Sequence, residues 1–238
     1  MKQTILGAIY LSLAASIWGG MYVVSKYILD FIPPLTLVWL RFIIAFVVLY
    51  FILKIAEKKQ KKKATIRKKD WLLFAWIGFI GYFISITCQF IGTKLSDAHT
   101  GSLVTSATPA FMVIFAALIL KEKLTARRLL STVIATIGVI IVIGWDIEIG
   151  SYFIGTVNTY VILGVLYLGI VSTAGAFFLW NKGLELLDAS IGSLFFFFQP
   201  IVGSLLGWLL LNETLNSNFF IGGILIICSV LITTFEKK

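Results

Sequence analysis

Charge is scarce in this chain of 238 residues, of which 13% are Asp, Glu, Lys or Arg and 59% are hydrophobic. Soluble domains carry about 25% charged and 45–50% apolar residues, so the composition excludes an ordinary soluble globular protein. Histidine occurs once and cysteine twice. A single histidine cannot supply most catalytic or metal sites, and no nucleotide-binding or nucleophile motif accompanies it. We therefore expect no enzyme activity, no metal and no cofactor.

The apolar residues are arranged in long runs. A helix needs about 20 apolar residues to cross a hydrocarbon core of about 30 Å. The runs predict an all-α integral membrane protein with about eight transmembrane helices, and their short connections leave almost no chain for a soluble domain. They are Ile5–Leu29, Leu35–Leu53, Trp71–Ile91, Ala98–Leu120, Leu129–Trp145, Tyr160–Trp180, Ile191–Leu211 and Phe219–Phe235.

Two smaller features fit this interpretation. Cys88 and Cys228 both fall inside apolar runs, where they are expected to act as small packing residues rather than as a disulfide. The first run is too long for a signal peptide and has only Lys2 before it, so we expect it to be retained.

The excess of basic residues, a formal charge of +9, is concentrated in one segment. Lys54–Lys69 lies between the second and third runs. A Lys-rich loop between two membrane spans indicates the cytoplasmic side, and it can contact anionic lipid headgroups. No groove-reading motif or basic-aromatic platform accompanies it, so the sequence favours membrane lipid as a partner and excludes nucleic acid.

An internal repeat relates two segments that lie 91 residues apart. Gly92–Leu124 aligns with Gly183–Leu215 without a gap, and 12 of the 33 positions are identical. Leu and Ala matches are common in membrane helices, whereas matches of Asp, Pro and Glu in register are not. The matched polar and proline positions are Asp97 with Asp188, Pro109 with Pro200, and Glu122 with Glu213.

Charge indicates that the two copies are inserted in opposite directions. Residues 121–128 after the first copy include four basic residues, and the equivalent residues 212–218 include none. Because cytoplasmic loops are enriched in Lys and Arg, the first loop is predicted inside and the second outside. The resulting map places Lys62 and Lys121 inside, Asn216 outside, and both termini in the cytoplasm of a multi-pass cell-membrane protein. Inverted repeats are typical of transporters, since two halves of opposite orientation can open a central site to each side in turn.

Three stretches resemble the EamA-type branch of the drug/metabolite transporter superfamily. They are Ala-Ala-Ser-Ile-Trp-Gly-Gly at 14–20, the stretch from Pro34 to Phe42, and the two Asp-Ala…Pro…Leu-x-Glu-x-Leu blocks of the repeat. The resemblance covers nearly the whole chain. It implies secondary transport through a cavity between inverted halves, often efflux of amino acids, other metabolites or toxic organic compounds. It also implies ten helices in a five-plus-five arrangement, whereas this chain has room for eight.

The absent pair of helices is expected in the second half. On the family pattern, residues 1–146 form a five-helix repeat, and residues 147–238 form a shortened repeat of three helices. The preferred hypothesis is a secondary transporter of small organic metabolites or drugs, with efflux as the expected direction. The alternative is a non-transporting membrane protein, either an assembly partner or a shortened transporter remnant.

Polar and aromatic residues near the middle of the repeated helices predict a substrate cavity. Pro109 and Pro200 each lie 12 residues beyond a repeated Asp, or about 18 Å along a helix, where a proline bends the helix and exposes backbone polarity. Isolated polar groups are costly in lipid, so they should face the bundle or a wet cavity, although helix–helix hydrogen bonding explains them equally well. The candidate lining residues are Trp18, Tyr22, Gln89, Ser102, Thr105, Ser106, Pro109, Trp180, Phe198, Gln199 and Pro200.

Other residues have a structural explanation beside a functional one. Asp97 and Asp188 each precede an apolar run, where helix capping is favoured over proton coupling. His99 is expected near the external surface, either as an ordinary interfacial residue or as a pH-sensitive gate. Gly203 and Gly207 fit close helix packing, and they are candidate contacts of a homodimer that would cover the gap left by the absent helices. No Asp or Glu falls in the middle of a run, which disfavours a deep carboxylate that exchanges protons with a cationic drug.

Overall fold

The computed structural model describes residues 2–60, 67–105, 107–108, 126–143, 158–187 and 192–234. These residues form eight helices and no strand, which confirms the predicted all-α fold. The helices are α1 (Lys2–Leu29), α2 (Pro34–Gln60), α3 (68–95), α4 (Ala98–Thr105), α5 (Ala126–Ile143), α6 (Thr159–Leu184), α7 (193–211) and α8 (Ser217–Thr234). Helices α1, α2, α3 and α6 are long and apolar enough to cross a membrane, and α5, α7 and α8 contain shorter apolar stretches.

The 91-residue repeat extends beyond the segment in which the sequence showed it. Helices α3 and α6 begin 91 residues apart, at Lys68 and Thr159. The described helical residues of α5 (Ala126–Ile143) and α8 (Ser217–Thr234) also occupy equivalent positions in the 91-residue register. Both α3 and α6 contain a π-helical segment, Ile77–Ile84 in the first and Tyr167–Gly175 in the second, and the two segments overlap in the repeat register.

Helices related by the repeat run antiparallel to each other. On α5, Gly138 lies against Gly222 and Ile226 of α8, and Val142, one turn later, lies against Gly222. Likewise, the first residues of α4 contact Glu213, which follows the last turn of α7. Opposed directions in both pairs confirm the inverted repeat.

Helix α1 forms the centre of the bundle and packs against α6 and α7, with α3 and α4 alongside. Lipid is as apolar as leucine, so helices in a membrane associate through close packing at small residues. A Cβ at Gly19 would lie 2.6 Å from the carbonyl oxygen of Gln199, and a Cβ at Gly183 would lie 2.5 Å from Leu11. These glycines allow the backbones of α6 and α7 to approach α1. Helices α5 and α8 pair with each other and join the bundle through a small cluster around Leu103.

Helix α3 has a much smaller share of buried residues than its repeat partner α6. In the most apolar 18-residue stretch of α6, 44% of the residues are buried inside the protein. In the most apolar 18-residue stretch of α3, no residue is buried. The two matched glycines show the same difference, because a Cβ at Gly183 would collide with α1 while a Cβ at Gly92 would meet nothing within 4 Å. At Gly92, the face of α3 that corresponds to the α1-covered face of α6 therefore borders a cavity, and no described helix packs against this bare face there.

Candidate substrate-binding site

A chain of hydrogen bonds joins α1, α3 and α4. Gln89 on α3 donates from Nε2 to the phenol oxygen of Tyr22 on α1, at 2.6 Å. The Tyr22 hydroxyl is also hydrogen-bonded to Oγ1 of Thr105 on α4, which in turn donates to the carbonyl of Gly101 at 3.1 Å. These donors and acceptors are mutually consistent when Tyr22 donates to Thr105. Three of the predicted cavity residues are thus brought together in one network.

The network lies in the wall of a cavity of about 380 Å³ between α1, α3 and α4. Ligand pockets for small molecules usually have volumes of about 300–1,000 Å³. Hydroxyl and amide groups are concentrated here, and the polar lining residues are Tyr22, Ser85, Gln89, Thr93, Ser96, Thr100 and Thr105. The cavity can therefore accept a small molecule that carries hydrogen-bonding groups.

An aromatic cluster lies one helical turn before Tyr22 on α1. The ring centroid of Trp18 is 5.1 Å from that of Phe177, 5.2 Å from that of Trp180 and 6.0 Å from that of Phe196. The Trp18 indole donates from Nε1 to the carbonyl of Ser172 at 3.0 Å, so its polar atom is satisfied. Two further predicted residues, Trp18 and Trp180, are therefore placed together, in a packed aromatic cluster that does not line the polar cavity.

The structure corrects the choice of Phe198 as a cavity residue. Phe198 is 39% exposed and stacks on Phe195. Phe196 takes the inward position, with its ring centroid 4.5 Å from that of Trp180. Phe195–Phe198 are four consecutive residues of a helical segment, so at least one of their side chains is expected to face inward. Ser193–Phe197 form a 3₁₀ helix, with three residues per turn.

Ser102, Gln199 and Pro200 are buried, but they lie between packed helices rather than in the polar cavity. The Ser102 hydroxyl donates to the carbonyl of His99 at 2.8 Å, and a Cβ at Gly203 would lie 2.5 Å from it. Gln199 is 2% exposed, and its Oε1 has no partner among the described residues. The other two candidates, Ser106 and Pro109, lie outside the described residues.

Gly203 and Gly207 also differ from the expectation of a dimer seam. Gly203 packs against Ser102 on α4, and a Cβ at Gly207 would lie 2.5 Å from the Glu213 carboxylate. Both glycines are buried within the chain. Their small size serves the α4–α7 contact, so they are not available to a second copy.

The start of α4 is capped by a residue of the loop that follows α7. Glu213 accepts from the backbone N–H groups of Ala98 and His99 at 2.7 and 3.1 Å. Asp97, which the sequence favoured as the cap, is exposed instead. The orphan amides of a buried helix end need a buried acceptor, and the Glu213 side chain, only 7% exposed, reaches them from beyond α7.

Sequence reasoning overlooked Arg41 as a site residue. It lies seven residues into α2, about 10 Å along the helix, and is 1% exposed. The signal was present, because a cation within an apolar run is expensive and usually functional. The residue was noted only as part of the Pro34-to-Phe42 stretch.

The profile of the EamA-like transporter family matches residues 5–144 and 149–235. The chain belongs to this family. It is similar to the uncharacterized transporter YoaV of Bacillus subtilis, with 24% identity over 99% of this chain and 98% of YoaV. The permease-like protein YdzE of the same organism is 62% identical over 31% of this chain and 94% of YdzE. The uncharacterized transporter YetK is 24% identical over 96% of this chain and 87% of YetK.

No solved structure gave a significant match. The family has a multi-span membrane fold, which agrees with the apolar helices described above, and the named relatives are transporters or permease-like proteins. The protein is a multi-pass membrane transporter of the EamA family, as the resemblance in the sequence implied.

Proposed function

We propose that this protein is a secondary transporter that carries small organic metabolites across the cell membrane by alternating access. The observation that carries the proposal is the antiparallel pair α4 and α7 beside a polar cavity. Two inverted elements can exchange conformations and so expose one site to each side in turn. Efflux is the proposed direction, in line with the family resemblance.

The polar cavity is the proposed substrate site. A substrate there would meet the phenol of Tyr22, the amide of Gln89 and the hydroxyl of Thr105. Trp18 and Tyr22 are four residues apart and share a face of α1, so the aromatic cluster lies next to the cavity. A molecule with both polar and apolar parts suits a polar cavity beside an aromatic cluster.

Movement of α4 against α7 is the proposed gating step. At the predicted external end, Glu213 joins the two helices by its hydrogen bonds to Ala98 and His99. Separation of the helices there requires these bonds to break. With both termini cytoplasmic, as proposed from the Lys-rich loops, this end faces the outside.

We also propose that the second repeat lacks the counterparts of α1 and α2. The family match to residues 5–144 spans 140 residues and that to residues 149–235 spans 87, a difference of 53. Two helices of about 20 residues with their connections take up about that length. The alignment with YoaV supports this too, since it runs over 295 positions, at least 57 more than the 238 residues of this chain.

The bare face of α3 favours a second candidate function. If α3 needs a covering helix from another protein, the chain acts as an assembly partner and does not transport alone. A homodimer or lipid are the other ways to cover this face. The bare face and the shortened repeat are the observations that favour this alternative.

Direct flux measurements separate the two functions. Purified full-length protein in proteoliposomes is tested against amino acids, organic acids and aromatic cations, with Gln89→Leu as the site variant and Glu185→Gln, an exposed position, as the matched control. We expect flux of at least one compound that Gln89→Leu reduces and Glu185→Gln does not. Absence of flux for all of them, with folded protein in the vesicles, contradicts transport by this chain alone.

A further inference from the structure

Arg41 is the largest fully buried side chain among the described residues. Its Nε donates to Oγ1 of Thr173 on α6 at 3.0 Å, and Nη1 lies 3.5 Å from the sulfur of Met21 on α1. Its guanidinium carbon is 5.5 Å from the ring centroid of Phe42 and 5.1 Å from that of Phe90 on α3. The cation therefore lies where four helices, α1, α2, α3 and α6, meet.

No carboxylate neutralises this cation within the described part of the chain. The ion pairs found there lie elsewhere, at or beyond the ends of helices, and they are Lys54–Glu57, Arg67–Asp70, His99–Glu213 and Lys182–Glu185. A guanidinium has five N–H donors, and the structure gives Arg41 only a hydroxyl and a thioether as acceptors. A buried cation without a counter-ion is costly, and charged residues inside membrane spans usually mark functional sites.

We propose that Arg41 recognises an anionic substrate, and that the transported molecules are small carboxylates with an apolar body. This inference rests on the transport function proposed above and adds to it the substrate class and a second binding cavity, which is lined by Thr173 and not by the Tyr22 network. The planar fork of Arg binds a carboxylate through two parallel hydrogen bonds. Its fixed charge in a poorly screened interior also favours anions over amines of the same size.

The surroundings of Arg41 suit the apolar body of such a molecule. A cavity of about 460 Å³ between α2, α3 and α6 is lined by Thr173, the acceptor for Arg41 Nε, together with Phe42, Tyr82 and Phe177. Ring contacts continue from Phe42 to Tyr82 at 6.1 Å and from Tyr82 to Phe177 at 5.6 Å. Aromatic surface thus extends from the cation toward the Trp18 cluster.

Access to the cation requires one local change. In this conformation Thr173 and Met21 occupy the two acceptor positions, and a carboxylate would replace them. Thr173 belongs to the π-helical segment Tyr167–Gly175 of α6, and such segments are frequent at functional sites. Displacement of this segment from α2 uncovers the guanidinium.

The charge preference of the unmodified protein is the first test. Phenylacetate, phenylacetamide and phenethylammonium have closely similar apolar bodies and differ mainly in the charge of the head group. Isothermal titration calorimetry of the full chain in nanodiscs gives the affinity for each probe. We expect phenylacetate to bind about tenfold or more tightly than the amide, with the ammonium weakest. Equal affinities for the acid and the amide overturn the proposal.

Substitutions then assign the preference to Arg41. Arg41→Gln is expected to bring the acid-to-amide ratio near one while amide binding remains, and Arg41→Lys to retain part of the ratio. Lys54→Gln is the control, because it removes an exposed cation from the same helix, far from Arg41, so its ratio should stay high. If Arg41→Gln does not fold, the test uses Arg41→Lys instead. An unchanged acid-to-amide affinity ratio in Arg41→Lys then contradicts the proposal.

The two proposals fail in different ways. Selective binding of phenylacetate without flux in proteoliposomes contradicts transport and supports the role of Arg41. Flux of amines or amides, with no preference for acids, supports transport and contradicts the role of Arg41.

Discussion

Nδ1 of His99 lies 2.7 Å from Oε2 of Glu213, although the two residues are 114 positions apart. The same carboxylate accepts from the backbone amides of Ala98 and His99. Burial raises the pKa of the Glu213 carboxyl, but the hydrogen bonds from the His99 ring and the two amides outweigh burial and lower the pKa below its ordinary value. The charged form of Glu213 therefore stabilises the contact between α4 and α7.

The stability of the folded protein is predicted to fall when Glu213 is protonated. Because the pKa of this carboxyl is lower in the folded protein than in the unfolded chain, its contribution is complete above the unfolded value of about 4.3. The contribution is lost as the pH falls through the lower, folded value. Thermal unfolding in detergent should show a fall in Tm over this acid range.

Glu213→Gln tests this assignment. Loss of the charged acceptor is expected to cost about 1.5–3 kcal/mol at pH 7, because hydrogen bonds to charged groups contribute about that much. It should also flatten the acid part of the Tm profile. Glu185→Gln is the matched control, since Glu185 is exposed and its ion pair with Lys182 is a surface contact. Identical profiles for Glu213→Gln and the unmodified protein would show that Glu213 does not hold the helices together.

The helices could be predicted because each depends on a continuous run of apolar residues, which is a local property of the sequence. In the described residues every apolar run contributes to a helix, and the matched Asp, Pro and Glu residues revealed an inverted repeat that the antiparallel pairs confirm. Which side of a helix faces inward depends on neighbours distant in sequence. This is why Phe198 was chosen where Phe196 lies inside, and why the cap was assigned to Asp97 rather than Glu213.

The candidate site was predictable only in part for the same reason. Tyr22, Gln89 and Thr105 are polar residues in apolar runs, and this pattern alone made them candidates for the cavity. Their hydrogen-bonded arrangement depends on how α1, α3 and α4 pack. Arg41 carried the same signal more strongly, but only the structure shows that no carboxylate among the described residues pairs with it.

The repeat supplies a matched pair of glycines for a second prediction. Gly183→Ala should destabilise the protein by about 1–3 kcal/mol, because the new Cβ would lie 2.5 Å from Leu11 in a packed contact. Gly92→Ala should be neutral or stabilising by up to about 1 kcal/mol, because Ala favours a helix and nothing lies within 4 Å of the new Cβ. Thermal unfolding of both variants in the same detergent measures the difference. An equal loss at Gly92 would mean that a helix covers this face of α3.

A third prediction concerns topology. In a background with Cys88→Ser and Cys228→Ser, Lys62→Cys should react with a membrane-impermeant maleimide only after the membrane is opened. Asn216→Cys should react in intact cells, because its loop carries no basic residue and is predicted outside. The reverse pattern of labelling would overturn the proposed orientation of the whole chain.

The last prediction concerns the hydroxyl at the centre of the polar network. Tyr22→Phe removes the group that accepts from Gln89 and donates to Thr105, and it leaves the ring in place. If the substrate loses one hydrogen bond to this hydroxyl, worth about 0.5–1.5 kcal/mol, the KM for transport increases by up to about tenfold. Tyr27→Phe is the control on the same helix, because the Tyr27 hydroxyl accepts from Asn158 at 3.3 Å in an exposed contact outside the cavity. Flux in proteoliposomes should therefore show a raised KM for Tyr22→Phe and an unchanged KM for Tyr27→Phe. If both variants transport as the unmodified protein does, the substrate does not use this network, and the polar cavity between α1, α3 and α4 is not the binding site.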